Sequence, residues 1–351
     1  MSTIAELLER ARLSAPISRQ GGALTIVPIH LEPNGGGNGG HKRDYVPLGE
    51  AVKGGRAQIT EISESGSVPL LAIRNSSDLA VFILDGEELK GAKQNRIVNL
   101  SILVPSRTVL PIPVSCVERG RWSYRTRDFD VSPNAMFAGG RAQQMSSVTR
   151  CMMASDGSRR DGDQRRVWSD VDEMLTAFGA ASPTAAMHDL YEASRQPLDD
   201  VLRGLAPLPE QTGAMFAVGG RVVGMELFET PDTLATYFPQ LVRSYALDAL
   251  RRGQGATDNF ASSDADAFLA DVKRASPRRF KAIGLGDDLR FAEDDLVGGA
   301  LLLDDRVVHL AAFRSRDRGR DRAWASPGPT TGVRPIPIDT WWTRVKRWFH
   351  A

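Results

Sequence analysis

Cysteine and histidine are scarce in this chain, and neither forms a pattern. The 351 residues hold two cysteines, Cys116 and Cys151, and five histidines. A secreted disulfide scaffold carries more cysteine, so a reducing cytoplasm is the expected compartment. His30, His41, His188, His309 and His350 show no HxH, HxxxH or CxxC spacing, so no metal ligand set is expected. His309 sits in a strand pattern and reads as a core or edge histidine. No apolar run approaches the ~18 residues of a membrane span. The start, MSTIAELLERARL, carries acids early and has no apolar signal core. Charge of one sign is also missing. Lys plus Arg number 44 and Asp plus Glu 43, a net charge of +1. No global field recruits nucleic acid or an anionic membrane, and no nucleic-acid partner is expected. There is no GxSxG, no P-loop and no Rossmann fingerprint. The glycine-rich run at 34–40 lacks a strand before it and a helix after it, so it reads as a linker.

What is present is a soluble globular composition, 42% hydrophobic and 25% charged. The length suits one large domain or two ordinary ones. The organising stretch is Val81 to Trp122, VFILDGEELKGAKQNRIVNLSILVPSRTVLPIPVSCVERGRW. Apolar β-type runs flank a dense polar insert, Asp85 to Arg96. A hairpin turn needs only two to five residues, which Asp85-Gly86 supplies alone. The rest, Glu87, Glu88, Lys90, Lys93, Gln94, Asn95 and Arg96, is more polar than a turn requires. A second polar cluster, Glu118, Arg119, Arg121 and Trp122, ends a later strand. Two readings of the insert stay open: a solvated or salt-bridged loop, and a ligand site.

The pattern along the chain gives an α+β class. Residues 1–22 read as an N-terminal arm opening on an amphipathic helix with Ile4, Leu7, Leu8 and Ala11 on one face. Residues 23–122 read as an antiparallel β-sandwich or barrel-like unit of about seven short strands. Residues 139–206 read as helical, with Val167, Trp168, Val171, Met174, Leu175 and Phe178 on one stripe. Residues 213–313 are mixed, with two late hairpins, GAMFAVGGRVVGMELF and GALLLDDRVVHLAAF, joining the same core. Pro239 is expected to break a helix between them. The whole of 23–313 reads as one domain. From Arg314 to Ala351 the composition is that of a disordered Arg/Pro-rich tail. It ends in a helix pattern with Trp341, Trp342, Val345, Trp348 and Phe349 on one face. Such a helix docks either on a partner or membrane surface, or on its own domain.

The chemistry of the insert fits phosphate recognition. Arg forks bind phosphate bidentately and Lys adds point charge. Lys93, Arg96, Arg119 and Arg121 are expected to converge on one pocket with Lys90, Gln94, Asn95 and Glu118. Asp85 or another acid then takes ribose hydroxyls, and Trp122 or Tyr124 stacks on a base. Of Glu87 and Glu88, one is expected inward and the other solvated, and either is a candidate general base. A carboxylate-only Mg²⁺ site from Asp85, Glu87 or Glu88 is generic. Cys116 reads as a small buried strand residue; a Cys–His pair requires His309 or His188 to approach it. The sequence specifies no cofactor.

Several segments occur in order: LDGEELKGAKQNR, IPVSCVERGRW, DQRRVW at 163–168, SPT at 182–184, Arg243 to Ala249, and VVHLAAF at 307–313. Together they resemble the ARG and Rhodanese-Phosphatase-superfamily-associated Protein domain, a family of prokaryotic proteins without established activity. The likeness covers roughly residues 20–313. It implies, by context, work around ADP-ribose or phosphorylated ribose. Three functions stay open: a module binding ADP-ribose, a nucleotide or phosphorylated ribose; a hydrolase of such a ligand with a Glu base; and a partner-binding scaffold.

Overall fold

Near-continuous apolar runs at 213–228 and 296–314 build the largest element. The computed structural model describes residues 3–19, 23–32, 43–64, 66–252, 259–293 and 295–314. Among these, a nine-stranded antiparallel sheet runs in the order Ala11–Leu13, Leu24–Leu31, Gly213–Val218, Arg221–Phe228, Arg306–Arg314, Leu296–Leu303, Asp287–Glu293, Arg278–Lys281, with Ile17–Arg19 also on Leu24–Leu31. The two late hairpins therefore pair with each other, Leu227 opposite Leu310. Their runs are apolar without alternation because both faces of the sheet are covered. Ala214, Phe216 and Val218 face one core. Met215 and Ala217 face another, under the helices Thr3–Glu9 and Ser262–Arg274.

Alternating strands in the N-terminal half build two smaller sheets around a third core of Ile59, Ile73, Val81, Leu89, Val98 and Ile112. One has the order Phe129–Ala135, Glu87–Gly91, Arg96–Val98, Thr108–Cys116, Leu70–Asn75, Ala57–Glu61. The other has Ile102–Val104, Ala80–Ile83 and Tyr45–Pro47, the last pairing parallel. Phe82, Leu84, Ile97 and Val117 leave this unit and join Phe216, Phe228, Tyr245 and Phe313 in the core of the large sheet. The class is α+β, with the late hairpins and the N-terminal strands sharing one core. The described residues, up to Arg314, fall in a single compact unit. The expected tail and terminal helix, beyond Arg314, lie outside the described residues. Arg314 itself closes the last strand, where its side chain bonds Val222 O and Asp264.

Several local expectations need correction. The N-terminal helix stops at Glu9 and Ala11 starts a sheet strand. The helical stretch after Ser182 splits into Met187–Ala193 and Arg195–Leu202. Pro239 does not break its helix, which runs from Pro231 to Arg252. Pro239 lies on the exposed face, where a proline is tolerated within the helix.

One ionic junction ties these layers together. Arg141, on the helix Ala138–Ala154, lies 3.0 Å from Asp85 Oδ2 and 2.5 Å from Glu226 Oε1. Asp85 belongs to the N-terminal unit and Glu226 to the large sheet. Tyr245 donates to Glu226 at 3.1 Å, and His309 Nε2 stands 3.1 Å from the same carboxylate. Ser101 Oγ bridges His309 Nδ1 at 2.9 Å and the Asp85 backbone N–H at 3.1 Å. Gly86 is required here twice. Its φ of +76° is left-handed, and a Cβ would stand 2.9 Å from Arg141 Cγ. Burial pushes the Asp85 carboxyl up, but Arg141 and His309 outweigh it and hold it below the usual carboxylate range.

Removing the cation alone leaves the buried Glu226 carboxylate with only Tyr245 and His309, and that of Asp85 with only Ser101 and a distant His309. Arg141→Met is expected to lower unfolding stability by about 3–5 kcal/mol. Adding Asp85→Asn and Glu226→Gln is expected to restore a large part of that loss. Urea unfolding of the single and triple variants measures both. A single variant as stable as the parent contradicts the junction's role.

Candidate functional site

The polar insert is not a loop. Glu87–Gly91 and Arg96–Val98 form a hairpin whose polar side chains are almost all buried. Gly91 at φ +131° and Ala92 at φ +35° open its turn. Arg121 locks that turn from below. Its nitrogens donate to Glu118 Oε1 at 2.8 Å, Glu118 Oε2 at 2.6 Å, Asn95 Oδ1 at 3.2 Å and the carbonyls of Gly91, Ala92 and Ser123. Glu118 also accepts from Asn95 N–H and the Thr184 hydroxyl. Burial raises the Glu118 pKa, yet Arg121 and these donors outweigh it and leave the carboxyl lowered. Arg121, Glu118 and Asn95 are thus a closed structural clamp.

Arg96 is the opposite case. Its side chain is wholly buried, and Nη1 donates to Gln94 Oε1 at 2.8 Å and to Cys116 Sγ. Nε and Nη2 have no hydrogen-bond partner. The guanidinium lies 5.4 Å from the Trp122 ring. Lys93 Nζ stands 5.5 Å from the same ring and 5.0 Å from Tyr124, and donates to the Glu64 carbonyl. Trp122 and Tyr124 are half exposed, so they form the outer wall over the buried cations. Both carboxylate oxygens of Glu61 also lack partners, and this acid faces the same residues. Cys116 is pushed up to about 11 by burial, against the pull of Arg96, so it is a neutral thiol. Its neighbour is an arginine, since His309 and His188 are engaged elsewhere. Gln164 holds the Cys116 backbone, accepting from its N–H at 2.7 Å and donating to its carbonyl at 2.8 Å.

The expected convergence of four cations is therefore incomplete. Lys93 and Arg96 meet at Trp122, and Arg121 lies in the adjoining clamp. Arg119 turns away to Asp172 at 2.9 Å and lines a separate cleft with Arg165, Trp168 and Arg251. Lys90 is only half-buried. Asp85 belongs to the Arg141 junction. Its carboxylate, Glu226 and His309 bring ligand atoms within 4.8 Å of one another, a metal-like trio. Arg141 already stands among them with four N–H···O bonds, so a guanidinium fills the cation's role.

Glu87 and Glu88 are both buried, which corrects the expectation that one is solvated. Alternation places them on opposite faces of a strand covered on both sides. Glu88 Oε2 lies 3.4 Å from His188 Nδ1, and its Oε1 has no partner. That bond raises the His188 pKa. Leu89, not Glu88, is the cross-strand partner of Arg96. Glu88 therefore points to the face away from the Arg96 guanidinium. Glu87 accepts from Leu84 N–H at 3.2 Å, and burial pushes its carboxyl up to about 8.

The model of the ARG and Rhodanese-Phosphatase-superfamily-associated Protein domain matches residues 11–313. The chain belongs to this family. No curated protein and no solved structure matches it. The family unit runs from the first strand of the large sheet to its last hairpin, so it contains both the junction and the Arg96 cluster. Of the site residues, sequence reasoning missed Glu61, which ends an ordinary alternating strand and carries no local signal. It also missed Arg141 and Glu226, which are single charges inside apolar patterns.

Glu87 yields a pH prediction. Its folded pKa of about 8 lies above its ordinary value of 4.5, so between these the folded chain keeps a proton that the unfolded chain has lost. Stability is therefore full below about 4.5 and falls as pH rises toward 8. Glu87→Gln, which keeps an acceptor for Leu84 N–H, is expected to flatten that fall and to raise the melting temperature at pH 8. Melting curves of the two proteins from pH 5 to 8 decide it; parallel curves refute the assignment.

Proposed function

We propose that the protein binds a small phosphorylated ligand of the ribose or nucleotide class, such as ADP-ribose, a nucleotide or phosphorylated ribose. The observation that carries this reading is Arg96, wholly buried with Nε and Nη2 unpartnered. A buried charge with open donors is costly, and the same fold satisfies Arg121 and Arg141 completely. The open edge of a guanidinium matches two phosphate oxygens. Lys93 adds charge, and the face of Trp122 offers a flat ring a stacking surface. The family name speaks of association with other proteins and establishes no reaction. A net charge of +1 leaves nucleic acid outside this reading. The free, reduced cysteines and the prokaryotic resemblance support a bacterial cytoplasm as its setting.

A hydrolase is the second reading, and Glu88 favours it. This acid is wholly buried with one oxygen free and the other against His188, the arrangement of a general base with an orienting partner. It lies on the face away from Arg96, so a substrate would have to reach it from the His188 side.

Calorimetric titration with ADP-ribose and adenosine monophosphate tests the binding reading. The parent is expected to give heat, and Arg96→Gln to lose at least about tenfold in affinity. Arg96→Gln is also expected to melt no lower than the parent, because it removes an incompletely paired buried charge. Arg119→Ala is expected to bind like the parent. Absence of heat with the parent for both ligands sinks the proposal, and release of ribose or phosphate in the same samples supports the hydrolase instead.

A further inference from the structure

We infer that Glu61 is the specificity-determining residue of the Arg96 pocket and takes the adjacent hydroxyls of a ribosyl phosphate. The inference rests on the binding reading above and adds what the ligand must carry besides its phosphate.

Glu61 is a second orphan. Both oxygens of Glu61 are buried and unpartnered. Two cations stand nearby, yet neither pairs with it. Lys93 Nζ turns to the Glu64 carbonyl, and Arg96 bonds Gln94 and Cys116. Glu61 and Arg96 both act on the Cys116 thiol, one from each sign of charge. Trp122 is their common neighbour.

Gly66 fixes the geometry. A Cβ at Gly66 would stand 3.1 Å from Trp122 Cζ2, 3.3 Å from Lys93 Cδ and 3.4 Å from Glu61 Oε2. The carboxylate, the edge of the indole and the lysine stem thus surround one point. Gly66 holds φ +76°, closing a turn with its N–H on the Ser63 carbonyl. The site therefore places an unpartnered guanidinium edge over the Trp122 ring and an unpartnered carboxylate near the edge of its indole.

A carboxylate with two free oxygens accepts hydrogen bonds and donates none. The ligand group that meets it is either a cation or a pair of hydroxyls. A ligand ammonium would enter beside Lys93 and Arg96 as a third positive charge, which like-charge repulsion in a desolvated site opposes. Adjacent neutral hydroxyls meet both oxygens without that penalty. Phosphate on Arg96, a diol on Glu61 and a ring on Trp122 describe a ribonucleotide. A site that binds hydroxyls through a buried acceptor rejects the analogue that lacks one, because the acceptor is again left open.

The test compares adenosine monophosphate, deoxyadenosine monophosphate and inorganic phosphate by calorimetry, on the full chain. The parent is expected to favour the ribonucleotide over the deoxynucleotide by about tenfold or more. Glu61→Gln is expected to bind the two nucleotides within about twofold of one another, and Arg96→Gln to lose both. The parent comparison needs no variant, so a Glu61→Gln chain that folds poorly does not blunt it. Equal affinity of the two nucleotides for the parent overturns the role of Glu61, as does discrimination that survives in Glu61→Gln. In either case Arg96-dependent nucleotide binding still stands. No binding of any of the three ligands overturns the role of Glu61, and no heat from ADP-ribose as well overturns both readings.

Discussion

The guanidinium of Arg141 is the constraint on which the fold depends. It is wholly buried and bonds carboxylates from two separately built units, Asp85 of the N-terminal strands and Glu226 of the large sheet. Ion pairs of this kind contribute little when compared with a well-packed apolar replacement, but they are unforgiving of partial change. What such a pair supplies is position. With Arg141 set by its helix, the turn at Asp85-Gly86 has one place to go, and the strand after it, Glu87–Gly91, is aimed from that point.

The hairpin that leaves this junction is then fixed at its far end by Arg121. Six carbonyl, amide and carboxylate oxygens take its N–H groups, and Glu118 is held in turn by Asn95 and Thr184. Both ends of the hairpin are therefore rigid. Arg96 lies on the strand between them and inherits that rigidity, while its own Nε and Nη2 stay open. A ligand group meeting a pre-set fork loses less side-chain entropy on binding than one that must order a free arginine.

Much of the architecture was legible in the sequence, because it follows from apolar pattern. The Gly219-Gly220 turn and the stripe from Val167 to Phe178 each marked an element. The alternation from Ile97 to Val104, read as one half-buried strand, instead splits into Arg96–Val98 and Ile102–Val104 in two different sheets and is buried throughout. Pattern also failed where three-dimensional context decided. Pro239 reads as a breaker, yet an exposed proline is tolerated inside a long helix. Glu87 and Glu88 read as one inward and one outward residue, which holds only when one face of a strand meets water. Here both faces are covered. Within the site, Lys93, Arg96 and Trp122 stood out because polar density in a short segment is visible. Glu61 stood out in no way, because Lys93 and Trp122, which lie near it, come from distant parts of the chain. Arg119 and Arg121 looked alike in sequence, and the structure sends them to different neighbours.

The arginines of this interior separate by one criterion. Arg141 and Arg121 have acids beside them and donors spent; Arg290 pairs with Asp288 at 2.8 Å. Each of these is explained by the fold alone. Arg96 is not, for the protein buries it beside an aromatic wall and leaves an acid nearby without joining the two. Had stability been the only demand, a short shift of either side chain into an ion pair, or an apolar residue at position 96, would have served better. That Arg96 and Glu61 both keep unpartnered atoms without pairing is therefore a feature of this fold that packing does not account for. The proposed ligand, with an anion at Arg96 and hydrogen-bond donors at Glu61, would account for it.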